Sequence, residues 1–302
     1  MSIYKVHLVC GIFFMLFINK AKASLLVPEV KYTSKLNEIK KLLPGYGEEV
    51  IAGLKVERRA SHTGFMKSLG IHTVVSQGKA YQLSANGLHL TDADESIQLE
   101  NFCSFFAAKI PPHLKLRGQW KDQYLDDGQS ANILGKNVKL IVDEAVLQVP
   151  LIDPEPEYLA YYGAAILKWG DIVEFANDTY PIWVMELGTD YVQDYIMNRD
   201  LGAGMYLEYH NDKPHFHMPL SRDSGGFYLL GKKISADVYH FSAFRIPYGK
   251  AIYTKKGALH SDAGLTGQRW IVGYDISEDF STALIYDSKG EMVSIIPSTK
   301  KD

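Results

Sequence analysis

Apolar positions in this chain fall mostly in short runs closed off by Gly, Asn, Asp, Pro or Lys, the punctuation of strands. One early exception is the spacing of Leu36, Ile39, Leu42 and Leu43, which puts four side chains on one helical face before Pro44-Gly45 ends the pattern. Val74-Val75, residues 80–83 and residues 137–142 then read as strands. A second helix is predicted over 190–197, broken by the glycines of 198–204. Beyond Gly204 the rhythm becomes regular, with runs at 205–209, 227–230, 238–246, 251–254, 270–274 and 282–286. Short strands at such spacing predict a barrel or sandwich in this half. Asp153-Pro154-Glu155-Pro156 is the best candidate linker, because two prolines so close resist regular structure. It divides an N-terminal β-rich region, 24–155, from a C-terminal barrel, 156–302.

The first 23 residues follow a different grammar. Lys5 precedes an apolar run from Val6 to Ile18, and Ala21-Lys22-Ala23 supplies a small-x-small cleavage site. This is the order of a secretory signal peptide, which predicts a secreted or periplasmic protein starting at Ser24. The run is too short for a spanning helix, which needs roughly 20 apolar residues. No membrane span is expected in the mature chain.

Composition sharpens this picture in three ways. At 302 residues the chain is long enough for a full core, and 46% hydrophobic with 22% charged residues is ordinary globular usage. The 32 Lys plus Arg against 35 Asp plus Glu give a net charge of -3. Removing Lys5, Lys20 and Lys22 with the leader leaves 29 against 35, or -6. No basic run is long enough to follow a phosphate backbone, so nucleic acid is not an expected partner. Of the two cysteines, Cys10 leaves with the leader, and Cys103 has no intramolecular partner. Its aromatic neighbours mark it as a small buried hydrophobe rather than a nucleophile.

The chemistry concentrates in the strand-rich half. Five of the ten histidines, His210, His215, His217, His240 and His260, fall between residues 210 and 260. The densest stretch runs from Glu208 through His210, Asp212 and His215 to His217, imidazoles and carboxylates of the kind that coordinate a divalent ion. Side chains two apart on a strand share a face. A hairpin turning through 211–214 would pair His210 with His215 and Glu208 with His217. If the strand continues through Asp212 first, His210 and Asp212 share the face and His217 joins from the return strand. His240, between Tyr and Phe, reads as a structural histidine, and His62, His72, His89 and His113 have no partner at ligand spacing.

These residues resemble the two motifs of the cupin superfamily, small double-stranded β-helix barrels. The first motif is Gly, five residues, His-x-His, three or four residues, Glu, then six residues and Gly. This chain has Gly204, five residues, His210-Asn211-Asp212, four residues, His217, then Gly225 after seven more. The second motif is Gly, five residues, Pro-x-Gly, two residues, His, three residues, Asn. Gly249, Lys255-Lys256-Gly257, His260 and Gly264 keep its spacing, with Lys for Pro and Gly for Asn.

The resemblance covers about 90 residues, from Gly204 to roughly Ile296. It implies a mainly β protein whose C-terminal half is a double-stranded β-helix barrel; of the mixed N-terminal half it says nothing, and a degenerate second barrel is a separate possibility there. It also implies one divalent metal, Fe(II) first and Mn, Zn or Ni as alternatives, held by His210, Asp212 or His215, His217 and His260. A more distant similarity is to the Fe(II)/2-oxoglutarate oxygenases, which use His-x-Asp and a later His. There His210, Asp212 and His260 would be the triad, and Arg269 would face a cosubstrate carboxylate. Glu208, Arg269 and Tyr253 are the candidate substrate-binding residues, and Lys255 and Lys256 would favour an anionic ligand. The expected function is an exported metal-dependent enzyme, of oxygenase type, acting on a small molecule. The alternative is a barrel that binds a sugar-like ligand without turning it over. Either form could oligomerise.

Overall fold

The computed structural model describes residues 58–59, 65–121, 136–175, 180–187, 206–211, 213–273, 280–291 and 293–298, all within the unit Ala52–Asp302. The leader, the helices expected near residue 40 and over 190–197, and Asp212 lie outside the described residues. Among the described residues the protein is mainly β, with two short α-helices, Leu99–Phe102 and Pro156–Tyr162. None of their helices is long and apolar enough to cross a membrane.

Eight strands carry the site. In chain order they are β1 (Tyr180–Leu187), β2 (Tyr206–His210), β3 (His215–Pro219), β4 (Tyr228–Lys233), β5 (Val238–Phe244), β6 (Lys250–Thr254), β7 (Leu259–Ser261) and β8 (Leu265–Gly273). They divide between two sheets, one in the order β1-β8-β3-β6 and the other in the order β2-β7-β4-β5. Every one of these pairings is antiparallel. The expected hairpin between β2 and β3 is therefore not what forms. β2 pairs with β7 and with Phe280–Asp287, whereas β3 pairs with β6 and β8. The reason lies in β3 itself, which is buried along its whole length. Its Phe216 and Met218 need an apolar layer on the face opposite His215 and His217, and membership of the first sheet sets them against one.

That layer is a smaller sheet in the order Gly87–Thr91, Ala80–Ser84, Ile172–Glu174, Ile97–Gln98. Tyr81, Leu83 and Val173 from this sheet belong to one core cluster with Ile182, Phe216, Met218, Tyr253 and Ile271 from the first. Burying a side chain such as Phe216 contributes roughly 1.5–3 kcal/mol, so this interface fixes which face of β3 turns inward. Cys103 joins the same cluster, where burial raises its thiol pKa to about 11. The lone thiol is packing, as its neighbours indicated.

The second sheet curls. From β5 it continues through Leu114–Lys121, Lys136–Val142 and Phe280–Asp287 to β2, and the β4–β5 pairing closes the path into a ring of seven strands. The pairing register puts Gly231, Phe241 and Leu259 on one face of this wall and His260 on the other. Gly231 is required there, since a Cβ would lie 2.5 Å from Phe241 Cε1 and 2.9 Å from Leu259 Cδ2.

Both large sheets draw strands from either side of residue 155. Phe65–Val75 pairs with β1, and Leu114–Lys121 and Val146–Ile152 pair with β5. The stretch expected to be a linker instead starts a helix, with Pro156 in its first turn, where a missing N–H costs nothing. Gly163 ends it at φ 79°, its N–H donating to the carbonyls of Ala160 and Leu159. The Pro and Gly seven residues apart were the signal for this helix.

Candidate metal centre

Three short strands bring the site together. Glu208 sits opposite His260 in the β2–β7 register, and His210, two residues on, shares the face of Glu208. From the other sheet β3 contributes His215. The four side chains Glu208, His210, His215 and His260 each place one ligand atom within 4.8 Å of all the others, and none is more than 5% exposed. Ring centroids are 4.4 Å apart for His210 and His215, 4.5 Å for His215 and His260, and 5.4 Å for His210 and His260. Because β2 and β7 belong to one sheet and β3 to the other, the cluster marks where the two inner faces meet.

The tautomer of His260 follows from its surroundings. Nδ1 lies 2.9 Å from the carbonyl oxygen of Ala258, which only accepts, so Nδ1 carries the proton and Nε2 the lone pair. That Nε2 points into the cluster, 3.6 Å from Glu208 Oε1. Burial, with help from neighbouring His210, lowers the His260 pKa to about 3. The ring is therefore neutral at ordinary pH, and the contact with Glu208 is not an ion pair. Three imidazoles and one carboxyl group, close-set and buried, supply the donor types that a divalent cation takes. A ligating His whose other nitrogen donates to a backbone carbonyl is the usual way a protein fixes the ring for a metal.

The expected site residues are distributed as follows. His210, His215 and His260 are brought together. Glu208, expected to bind substrate, sits among them. His217 lies beside the cluster, 5.3 Å from His215 between ring centroids, but its Nε2 turns to Asp262 Oδ2 at 3.4 Å. Asp212 is outside the described residues. Tyr253 pairs with Phe216 in the β3–β6 register, which puts it on the outer face among the apolar core, away from His215 and His217. Arg269 is exposed on β8. Neither Tyr253 nor Arg269 is among the cluster residues.

Two further residues stand at the centre: Asp262, which the sequence reading missed, and Tyr228, which it took for an aromatic of the core or the barrel mouth. Asp262 is two positions after His260, the same His-x-Asp spacing that drew attention to His210. Tyr228 lies between imidazoles, with ring centroids 4.9 Å from His217 and 5.9 Å from His260, and its hydroxyl is 3.1 Å from Thr254 Oγ1. Only its place on β4 next to β7 reveals it. Three other described histidines make contacts away from the cluster. His240 stacks on His113 at 3.8 Å and meets the Tyr161 hydroxyl at 2.8 Å through Nδ1, while His72 Nε2 accepts from the backbone N–H of Leu88 at 2.9 Å.

Comparison with known proteins returned no match: no protein family, no curated protein and no solved structure matches this chain. The residues themselves carry the functional argument.

Proposed function

We propose that this chain is an exported, cupin-like metalloenzyme that acts on a small molecule by an oxygenase-type reaction. The observation that carries the reading is the convergence of Glu208, His210, His215 and His260 from facing sheets within 4.8 Å. Supporting the barrel reading, the orders β1-β8-β3-β6 and β2-β7-β4-β5 are those of a jelly roll wound from eight antiparallel strands, the architecture cupins use. Supporting export is the order of charge, apolar run and small residues in positions 1–23.

A bound divalent ion, Fe(II) by preference, would supply Lewis acidity and redox capacity. The chain's own groups do the rest. His260 is held in its metal-ready tautomer by Ala258, and Glu208 offers a carboxylate oxygen. Tyr228 and the β3–β4 walls keep bulk water from the ligands.

The burial of all four groups also suits a second reading, a barrel that holds its ion and a small ligand without turnover. The two readings separate experimentally. Purified protein should contain about one equivalent of metal, and the iron-loaded form should consume oxygen. Metal at background level in folded protein would defeat both readings. Bound metal with no oxygen consumption across a panel of small-molecule candidates would favour the binding barrel.

A further inference from the structure

A second cleft lies close to the cluster without including it. It has a volume of about 640 Å³ and opens where the helix Pro156–Tyr162, the end of β4 and the turn leading into β7 come together. Such a volume suits a small organic ligand. Lys232, Lys233 and Lys255 line it together with the rings of Trp120, Tyr161 and Tyr239, and no Asp or Glu is among the described residues that line it.

The cations are held in place. Lys232 Nζ donates to the Tyr161 carbonyl at 3.0 Å and lies 4.1 Å from the centroid of the Tyr161 ring. Lys233 Nζ is 5.9 Å from the Tyr239 ring, which itself stacks with Trp120 at 6.4 Å and 28°. The Lys255 backbone N–H donates to the Gly163 carbonyl at 3.0 Å, and a Cβ at Gly163 would collide with the Lys255 stem. That helix therefore ends in glycine for two reasons, its left-handed φ and room for a lysine. Cation–π contact and a backbone carbonyl hold the Lys232 ammonium, ring contact alone the Lys233 ammonium, and the backbone bond sets where the Lys255 side chain starts.

We propose that this cleft binds a small aromatic anion, an aryl ring carrying a phosphate or carboxylate group, with the ring against the aromatic wall and the anionic group among the lysines. Flat rings favour stacked or edge contacts. Three lysines on one cleft raise the local concentration of anions. This inference does not rest on the metal centre, because none of Glu208, His210, His215 or His260 lines the cleft.

The test is calorimetric titration of the full chain with phenyl phosphate and benzoate, alongside phenol and inorganic phosphate. Phenyl phosphate or benzoate should bind saturably, at least tenfold more tightly than phenol and inorganic phosphate. The double substitution Lys232→Ala/Lys255→Ala should weaken that binding at least tenfold while the circular dichroism spectrum stays unchanged. Titration after chelator treatment should give the same affinity. Four results would each overturn the proposal: no saturable binding of either aryl anion, equal binding by the double variant, inorganic phosphate matching phenyl phosphate, or loss of binding on chelation, which would put the anion on the metal instead.

Discussion

Replacing His260 is the sharpest probe of the centre, and His260→Gln is the most informative version because it removes the imidazole while keeping a polar side chain of similar bulk. Two effects follow from the geometry. The hydrogen bond to the Ala258 carbonyl is lost or remade, at about 0.5–1.5 kcal/mol of stability. One of four ligand atoms disappears from a cluster spanning 4.8 Å. Four-ligand structural zinc sites bind with an apparent 10–16 kcal/mol, so one donor in four represents on the order of 3 kcal/mol, or roughly a hundredfold in Kd. Competition against a chromophoric chelator, with Zn(II) as the reporter ion, measures that change, and circular dichroism checks that the variant is folded. Tyr253→Phe serves as the matched control, since Tyr253 sits on β6 with its side chain in the outer core. A folded His260→Gln protein with unchanged Zn(II) affinity would refute the assignment of Nε2 to the metal.

Three further outcomes are expected. Asp262→Asn replaces the buried partner of His217 with an amide and should lower stability by about 1–3 kcal/mol in urea unfolding, with metal stoichiometry kept; loss of metal with stability unchanged would instead make this pair the ligands. Gly231→Ala drives a methyl group into Phe241 and Leu259 and should cost about 1–3 kcal/mol, and an unshifted melting temperature would show that the wall is looser than described. Cys103, whose thiol stays protonated to about pH 11 when folded and to about 9 when unfolded, binds more protons in the native state between those values. Its contribution is full below pH 9 and is lost as pH rises toward 11, about 1.4 kcal/mol per unit. Labelling by iodoacetamide at pH 8 should accordingly be slow in native protein and fast in urea, and rapid labelling of the native form would place the thiol at the surface.

The sequence disclosed strands wherever burial is carried by contiguous apolar letters. The runs at 227–230, 238–246 and 251–254 correspond to β4, β5 and β6, and 137–142 corresponds to Lys136–Val142. It was least legible where function occupies the pattern. In β3 imidazoles take the inward positions at 215 and 217, so the strand does not look apolar, and β7 is only three residues long with a histidine at its centre. Residue types pointed to a cluster that could hold a metal ion, and the spacing of His210 and His260 located two of its four members. The choice of Glu208 and His215 over His217 depended on which sheet each strand joined, and no local spacing encodes that. The likeness of 153–156 to a linker misled for a related reason: proline both breaks chains and begins helices, and only the glycine at 163 distinguishes the two.

The wall formed by β2, β7 and β4 has a final consequence. Its two faces serve different interiors, an apolar one at Leu259 and the histidine cluster at His260, and strand side chains alternate strictly. A shift of β7 by a single position would present leucine to the imidazoles and histidine to Phe241, spoiling both interiors at once. A shift of two would keep each face but set Ala258 or Asp262 opposite Glu208 in place of His260, so remodelling of the turn before Leu259 should keep the cluster only where β7 holds its place to the residue.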